Sequence, residues 1–369
     1  MKLLLLSPKN RTVYNFRGEL IKELQKRGYE VSVTGPNRDN ADKVEALGVR
    51  FIEIPMSKNG TSILSDLKYC RSLYKLMRRE KPDVILGYTV KPVVYGALAG
   101  WLAGVKNINC LITGGGYTFT AQSLKARVLG TLVRTLYRLA LHRADRVIFQ
   151  NADDRDEFVS RRLVSKEKTQ VVHGSGVDMT HFTPTPLPEN AAFFMLSRLL
   201  KSKGVIEYLK AAEKVKRQYP GVRFALLGKY EYEMQDAVDR EYVEKLISDG
   251  VIERFEETDD VRPYYSQCSV YVLPSYREGT PRTVLEAMAM GRPIITTDTN
   301  GCRDTVTDGV TGFLVPVRDA DAVAEKMLWF IEHPEKTAVM GKASRELCKE
   351  KFDVVSVNQN MLKYMKIED

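Results

Sequence analysis

The chain has 369 residues, 44% of them hydrophobic and 28% charged, with a formal net charge of +9. At roughly 100–200 residues per domain that is about two domains with ample apolar content for a core in each, and it excludes disorder, collagen and a coiled rod. The charge is unevenly divided: residues 1–172 carry 30 Lys and Arg against 16 Asp and Glu (+14), and residues 173–369 carry 26 against 31 (−5). A strongly basic half meets an anionic surface, whether nucleic acid, phosphorylated substrate or anionic lipid. The five cysteines, at 70, 110, 268, 302 and 348, lie far apart with no CxxC or CxxH spacing. A disulfide framework or structural zinc site is therefore not expected, and a reducing cytoplasm fits.

The opening MKLLLLSPKN has one basic residue and four leucines before Ser7-Pro8. That is short for a signal-peptide core and reads as a first strand. The longest nearly apolar stretch, 93–104, is well short of the roughly 18 residues a transmembrane helix needs. Further strands are predicted at 30–34, 50–54, 83–87, 107–112, 146–150 and 170–173. Amphipathic helical patterns fall between them at 16–27, 65–79, 123–143 and 153–163. Strands alternating with helices imply βαβ units and a parallel sheet covered on both faces.

The alternation stops at 174–188, GSGVDMTHFTPTPLP, where three prolines and several Ser and Thr make a linker. It restarts with strands at 193–196, 223–227, 251–255, 270–273, 293–296 and 313–315, and helices at 205–218, 233–248, 281–290, 319–332 and 335–351. The expected architecture is α/β, two doubly wound Rossmann-like domains facing across a cleft, with ligands at the carboxyl ends of the strands. The first domain spans 1–173, the linker 174–188 and the second domain 189–352. The tail, 353–369, is expected as a helix returning to the first domain.

Residues 273–293, LPSYREGTPRTVLEAMAMGRP, have the punctuation of a strand, a turn and a capped helix. Thr280 suits the N-cap and Pro281 the first helical position; Gly291 suits the position after the helix, and Pro293 stops it. Amides near 279–282 would then point from a helix start as an anion site. Glu278 stands just before that helix and Glu286 on it. The plain alternative for Glu286 is an i−4 ion pair with Arg282 on a solvated face.

At these residues the chain resembles the retaining "group 1" glycosyltransferases, family 4, which have the GT-B fold. The resemblance rests on Glu278-x7-Glu286 with its SYREG and EAMAMGRPII surroundings. It extends to Ser197–Gly204 (SRLLKSKG), to Gly176-Val-Asp178 with Phe182 and Pro184, and to Thr311-Gly-Phe-Leu-Val315. It is looser over the N-terminal half, and it is strongest toward bacterial enzymes of O-antigen, capsule or lipid-linked glycan assembly. It implies that Arg198 and Lys203 bind a donor diphosphate, that Glu286 holds ribose hydroxyls, and that Glu278 touches the donor sugar beside the reacting carbon. Gly279, Thr280 and Pro281 would line the same site. Base recognition would use Gly228, Lys229 and the turn at Val261.

Two fixed cations and a helix start stabilise charge growing on a leaving diphosphate. With those cations no metal or other cofactor is needed. Asp154-Arg-Asp156 has the letters of a metal motif but reads as acids in a helix's first turn. Many relatives place a histidine near the reacting sugar. The corresponding stretch here, 111–117, has none, and the histidines are 142, 173, 181 and 333. A front-face reaction can use the departing phosphate oxygen as base instead. Gly114, Gly115 and Gly116 would let backbone approach an acceptor, and the loop 10–18 would offer Asn15 and Arg17. The basic helices at 65–79 and 123–143 fit an anionic membrane surface. No nucleic-acid motif is present.

The resemblance thus implies a hexose or N-acetylhexosamine moved from a nucleoside-diphosphate sugar, expected to be UDP-linked, to a polyprenyl-diphosphate-linked or surface-polysaccharide hydroxyl. The enzyme would be cytoplasmic and peripheral on the inner face of the plasma membrane. The rivals are a nucleotide-sugar 2-epimerase of the same fold and an inactive membrane-surface binding protein.

Overall fold

The computed structural model describes residues 1–57, 62–114, 124–232 and 234–367. The chain divides into two compact units, Met1–Ser175 with Val355–Asp369, and Gly176–Val354. In the first, the order is β1 (Lys2–Leu6), α1 (Asn10–Phe16), α2 (Gly18–Lys26), β2 (Glu30–Gly35), α3 (Ala41–Glu45), β3 (Arg50–Glu53), α4 (Ile63–Glu80) and β4 (Val84–Tyr88). There follow α5 (Val90–Ala103), β5 (Asn107–Ile112), α6 (Leu124–Arg143), β6 (Arg146–Phe149), α7 (Ala152–Ser160) and β7 (Thr169–Val171). The strands are parallel in the order β3-β2-β1-β4-β5-β6-β7.

The leucine run of β1 explains itself in this sheet, because a strand covered on both faces needs apolar residues at every position. Leu4 and Leu6 pack with residues of α4 to α7. Leu3 and Leu5 pack on the other face with α2, α3 and the chain's last helix. The apolar stretch 93–104 falls on α5, which lies close over the sheet. A Cβ on Gly96 would overlap Leu6, and one on Gly100 would overlap Ile85.

The second unit runs β8 (Ala192–Leu196), α8 (Val205–Gln218), β9 (Arg223–Leu227), α9 (Arg240–Ser248), β10 (Glu253–Phe255), α10 (Arg262–Ser266) and β11 (Val270–Leu273). It continues through α11 (Arg282–Ala289), β12 (Ile294–Thr297), β13 (Gly312–Val315), α12 (Ala320–Glu332) and α13 (Pro334–Phe352). Its sheet is parallel in the order β10-β9-β8-β11-β12-β13. The expected two-domain α/β class is what the chain forms. The last helix, α14 (Val354–Tyr364), returns to the first unit. There Met361, Leu362 and Met365 join the core around Leu3 and Leu5, and Asn107 Nδ2 donates to the Met365 carbonyl at 2.7 Å.

Two local expectations are corrected. The segment expected as a loop at 10–18 is mostly α1, anchored by buried Asn10, whose amide donates to the carbonyls of Asn37 (2.9 Å) and Asp39 (2.7 Å). The helix expected over 233–248 starts only at Arg240, after the N-cap Asp239. The residues before it are drawn into other bonds, since Lys201 N donates to Asp236 O (2.7 Å) and Val238 N to Leu199 O (3.1 Å). Among the described residues no helix is long and apolar enough to cross a membrane.

Candidate active site

In the second sheet β8 and β11 are neighbours at the point where the strand order reverses, so the loops at their carboxyl ends diverge and leave a crevice. The loop after β8 is 197–204 and the loop after β11 is 274–281, the two stretches that carry Arg198, Lys203 and Glu278. They are locked together by close backbone approach. Gly204 sits at φ +75° and Gly301 at +74°; a Cβ on the first would overlap the Pro274 carbonyl, and on the second those of Glu278 and Gly279. Tyr276 N donates to Ser202 O at 2.9 Å and Glu278 N to Asn300 O at 3.1 Å.

Threonines at the end of β12 and just beyond complete the brace. Thr296 Oγ1 donates to Leu273 O (2.7 Å), Thr297 Oγ1 to Ser275 O, and Thr299 Oγ1 to Tyr276 O (3.0 Å). The carbonyls of Leu273, Ser275 and Tyr276 are thus satisfied from the side, as buried backbone requires.

On this frame Lys203 Nζ lies 2.5 Å from Glu278 Oε1. Ser275, fully buried, donates its hydroxyl to the same oxygen at 2.8 Å. The two charged side chains are 24% and 14% exposed, so their attraction is far less screened than that of a surface pair. Beside them α11 begins at Arg282. The N-cap is Pro281, one residue later than expected; Thr280 instead turns its hydroxyl to Gly279 O at 2.9 Å. Proline has no side-chain oxygen with which to cap, and the Pro281 carbonyl accepts from Val284 N at 3.0 Å and Leu285 N at 3.3 Å to close the first turn.

Glu286 does pair with Arg282, Nε to Oε1 at 3.1 Å, but the pair is part-buried, at 13% and 17% exposure, not on a solvated face. The Tyr265 hydroxyl stands 3.1 Å from Glu286 Oε2 and 2.9 Å from Thr283 O. Burial pushes the Glu286 carboxyl above its ordinary 4.5, and Arg282 and Tyr265 only partly oppose that. Arg282 also donates through Nη1 to Gly176 O.

Arg198 reaches elsewhere. It is half-exposed, 3.6 Å from Glu231 Oε1, and Lys229 Nζ is 3.9 Å from the same oxygen. Gly228 is held at the end of β9 by N–H donation to Phe255 O (3.0 Å), while its carbonyl accepts from Arg254 Nη2 (3.0 Å). The Arg254 guanidinium lies 4.2 Å from the Tyr230 ring centroid. Val261 is the N-cap of α10. The structure therefore groups Lys203, Ser275 and Glu278, groups Arg282, Tyr265 and Glu286, and sets Arg198 with Lys229 and Glu231. The sequence motifs include neither Ser275 nor Tyr265 among the site residues. Ser275 was legible as the serine three residues before Glu278; Tyr265, in a five-residue helix, had no local signal.

Asp154 is buried at α7's third position, where its amide donates to the Asn151 N-cap oxygen (2.7 Å) and its carboxylate accepts from Asn151 Nδ2 (3.1 Å). Asp156 pairs with Arg155 at 2.8 Å. Asp154 thus serves the helix start, whereas Asp156 lies beyond the first turn, on the exposed face.

In the first unit the matching switch point lies between β1 and β4. The buried Tyr88 hydroxyl is 2.8 Å from both Ser7 Oγ and Thr12 Oγ1. Arg17 is only 5% exposed, with its guanidinium 5.4 Å from the Tyr88 ring centroid. Thr89 follows at φ 66°, ψ 173°, a strained backbone for a non-glycine residue. Asn15 is exposed on α1, and Gly114, after β5, has φ +136°. Gly115 and Gly116 lie outside the described residues, as do the side chains of Lys125 and Arg127.

Comparison with known proteins follows this division. Residues 180–347 match the family described as glycosyl transferases group 1, and residues 15–174 match the glycosyl transferase 4-like domain. The chain is 25% identical to the N,N'-diacetylbacillosaminyl-diphospho-undecaprenol alpha-1,3-N-acetylgalactosaminyltransferase of Campylobacter jejuni, covering 100% of this chain and 98% of that one. It is 26% identical to the UDP-Gal:alpha-D-GlcNAc-diphosphoundecaprenol alpha-1,3-galactosyltransferase of Escherichia coli, covering 87% and 84%. Anabaena Alr3699/HepE, solved in complex with UDP and glucose, superimposes with a TM-score of 0.80 at 20% identity over 99% of each chain.

Proposed function

Since the chain belongs to the glycosyl transferases group 1 family and is a hexosyltransferase of the GT-B fold, we propose that it is a retaining enzyme using a UDP-sugar. It moves a hexose or N-acetylhexosamine to a hydroxyl of a polyprenyl-diphosphate-linked or surface-polysaccharide acceptor. The observation that carries this reading is the Lys203–Glu278 pair at the strand switch point, beside the start of α11. A UDP-linked donor and undecaprenol-linked acceptors stand in the relatives' names.

In the proposed reaction the donor diphosphate lies against Lys203 and Arg198, at the positive end of α11. The bond between the sugar's anomeric carbon and the phosphate oxygen breaks as charge grows on the diphosphate, and these groups stabilise it. The acceptor oxygen bonds to the same face of that carbon. Its proton passes to the departing phosphate oxygen, so no separate base is required. Once Lys203 turns to phosphate, Glu278, kept in place by Ser275, is released to accept from a sugar hydroxyl. Glu286 accepts from the ribose, and Gly228, Lys229 and Val261 border the base. The charge is carried by protein cations, so activity is expected to survive EDTA. Gly114–Gly116, Asn15 and Arg17 are proposed for the acceptor side.

The basic first unit is proposed to hold the enzyme against the inner face of the plasma membrane. On α4, Lys68, Arg71, Lys75, Arg78 and Arg79 are exposed, along with Ile63, Leu64 and Leu67. UDP release by purified protein, with a panel of lipid-linked acceptors and donors, tests the whole reading. Turnover that persists unchanged in Lys203→Ala and Glu278→Ala would remove the site assignment. Donor sugar epimerised without acceptor, followed by NMR, would favour an epimerase instead.

A further inference from the structure

The outer helical layer of the first unit contains a groove that takes no part in the site above. About 660 Å³ opens between the last turns of α6 and residues 162–168, which lead into β7. Both α6 and α7 arrive there by their carboxyl ends, where unpaired carbonyls carry partial negative charge. Two cations answer that charge. Arg138 donates to the carbonyls of Arg162 (2.9 Å) and Arg161 (3.2 Å), and Lys168 to those of His142 (2.8 Å) and Ala144 (2.7 Å). Helix-end compensation thus accounts for Arg138 and Lys168. It does not account for His142, Arg143, Arg162 and Lys166, which share the lining with a single acid, Glu167.

Apart from Ser165, the rest of the lining is apolar, including Leu139, Val159, Leu163 and Val164. Leu139 is 55% exposed. At the end of α5, Trp101 is 46% and Leu102 59% exposed, and the Arg143 guanidinium lies 3.9 Å from the Trp101 ring centroid. A solvated helix end gives no reason to expose a tryptophan and two leucines. A bilayer boundary does. There tryptophan sits at headgroup level, and basic side chains lay their stems on hydrocarbon while their charges meet phosphate.

We infer that this groove is a lipid site: Arg143, Arg162 and Lys166 hold the phosphate of one anionic phospholipid, and the exposed Leu139 receives the start of its acyl chain. The inference rests on the membrane-peripheral reading and narrows it from a diffuse basic surface to one place.

Trp101 and Trp329 are the chain's two tryptophans, so the full chain carrying Trp329→Phe reports Trp101 alone. Phosphatidylglycerol–phosphatidylcholine vesicles with brominated acyl chains should quench it, and phosphatidylcholine alone should not. Arg162→Gln with Lys166→Gln should lower vesicle partitioning about 25-fold, about fivefold per cation, in sedimentation of protein that keeps both tryptophans. Lys75→Gln with Arg78→Gln on α4 should weaken binding but leave the quenching per bound molecule unchanged. Binding without quenching, or a groove variant that loses no more than the α4 variant, overturns this inference alone. Inorganic phosphate shifting Trp101 emission as strongly as lipid makes the site one for free phosphate and overturns the lipid assignment. No binding to anionic vesicles overturns the membrane reading and this inference with it.

Discussion

The two units share one strand order through their first six strands, 3-2-1-4-5-6, yet their switch points hold different chemistry. In the second unit the crevice between β8 and β11 carries a lysine–glutamate pair, a buried serine and a helix start capped by proline. In the first, the point between β1 and β4 carries hydroxyls on Tyr88, Ser7 and Thr12, a buried arginine and a strained threonine. Topology decides where a ligand is met; the residues on the loops decide which ligand. On the proposed function, the diphosphate that gains charge during reaction is met in the second unit and the acceptor's sugar hydroxyls in the first.

The contrast is most easily broken at the charged pair. Glu278→Gln or Lys203→Met is expected to lower kcat by about 10²–10³-fold with the fold intact, read as UDP release beside an unchanged circular dichroism spectrum. An effect on the acceptor KM alone would put these residues on the wrong side of the comparison. Ser275→Ala removes a hydrogen bond to a charged carboxylate. A loss of about tenfold in kcat is expected, with the acceptor KM unaffected and activity recovered in Ser275→Thr.

Glu286 supplies a pH test. Its carboxyl is raised above 4.5 by burial, so donor KM should climb on acidification at a pH higher than for an ordinary carboxylate, and Glu286→Gln should flatten that limb. The sign for stability is the reverse. A raised carboxyl stabilises the fold relatively at low pH, and this is lost as pH rises from about 4.5 through the raised value. The Tm difference between Glu286→Gln and wild type should therefore move in the variant's favour over that interval. The smallest effect is sought in the first unit. Tyr88→Phe should cost about 1 kcal/mol of stability and raise the acceptor KM, with donor affinity by calorimetry unchanged. A donor effect there would blur the division of labour.

Most strands and long helices could be read from the chain because their causes are local. Continuous leucine or β-branched runs mark doubly covered strands, and the spacing of apolar residues marks α2, α4, α8 and α12. The short elements escaped for the converse reason. Residues 234–239 are held by backbone bonds to the loop after β8, and Asn10 is fixed by carbonyls nearly thirty residues away, so their own propensities do not decide their conformation.

The sequence alone determined the α/β class, the family and the letters of the site, since strand periodicity, a proline–glycine-bounded helix and the spacing of Glu278 and Glu286 are all properties of neighbouring residues. Tertiary structure alone decided that Lys203 meets Glu278, 75 positions apart, that Tyr265 comes up to Glu286, that Arg198 turns to Glu231, and that Glu286 is largely shielded from solvent. The physical reason is the parallel sheet. Each crossover returns the chain to the same edge, so side chains distant in sequence share a crevice whose contents no local pattern specifies.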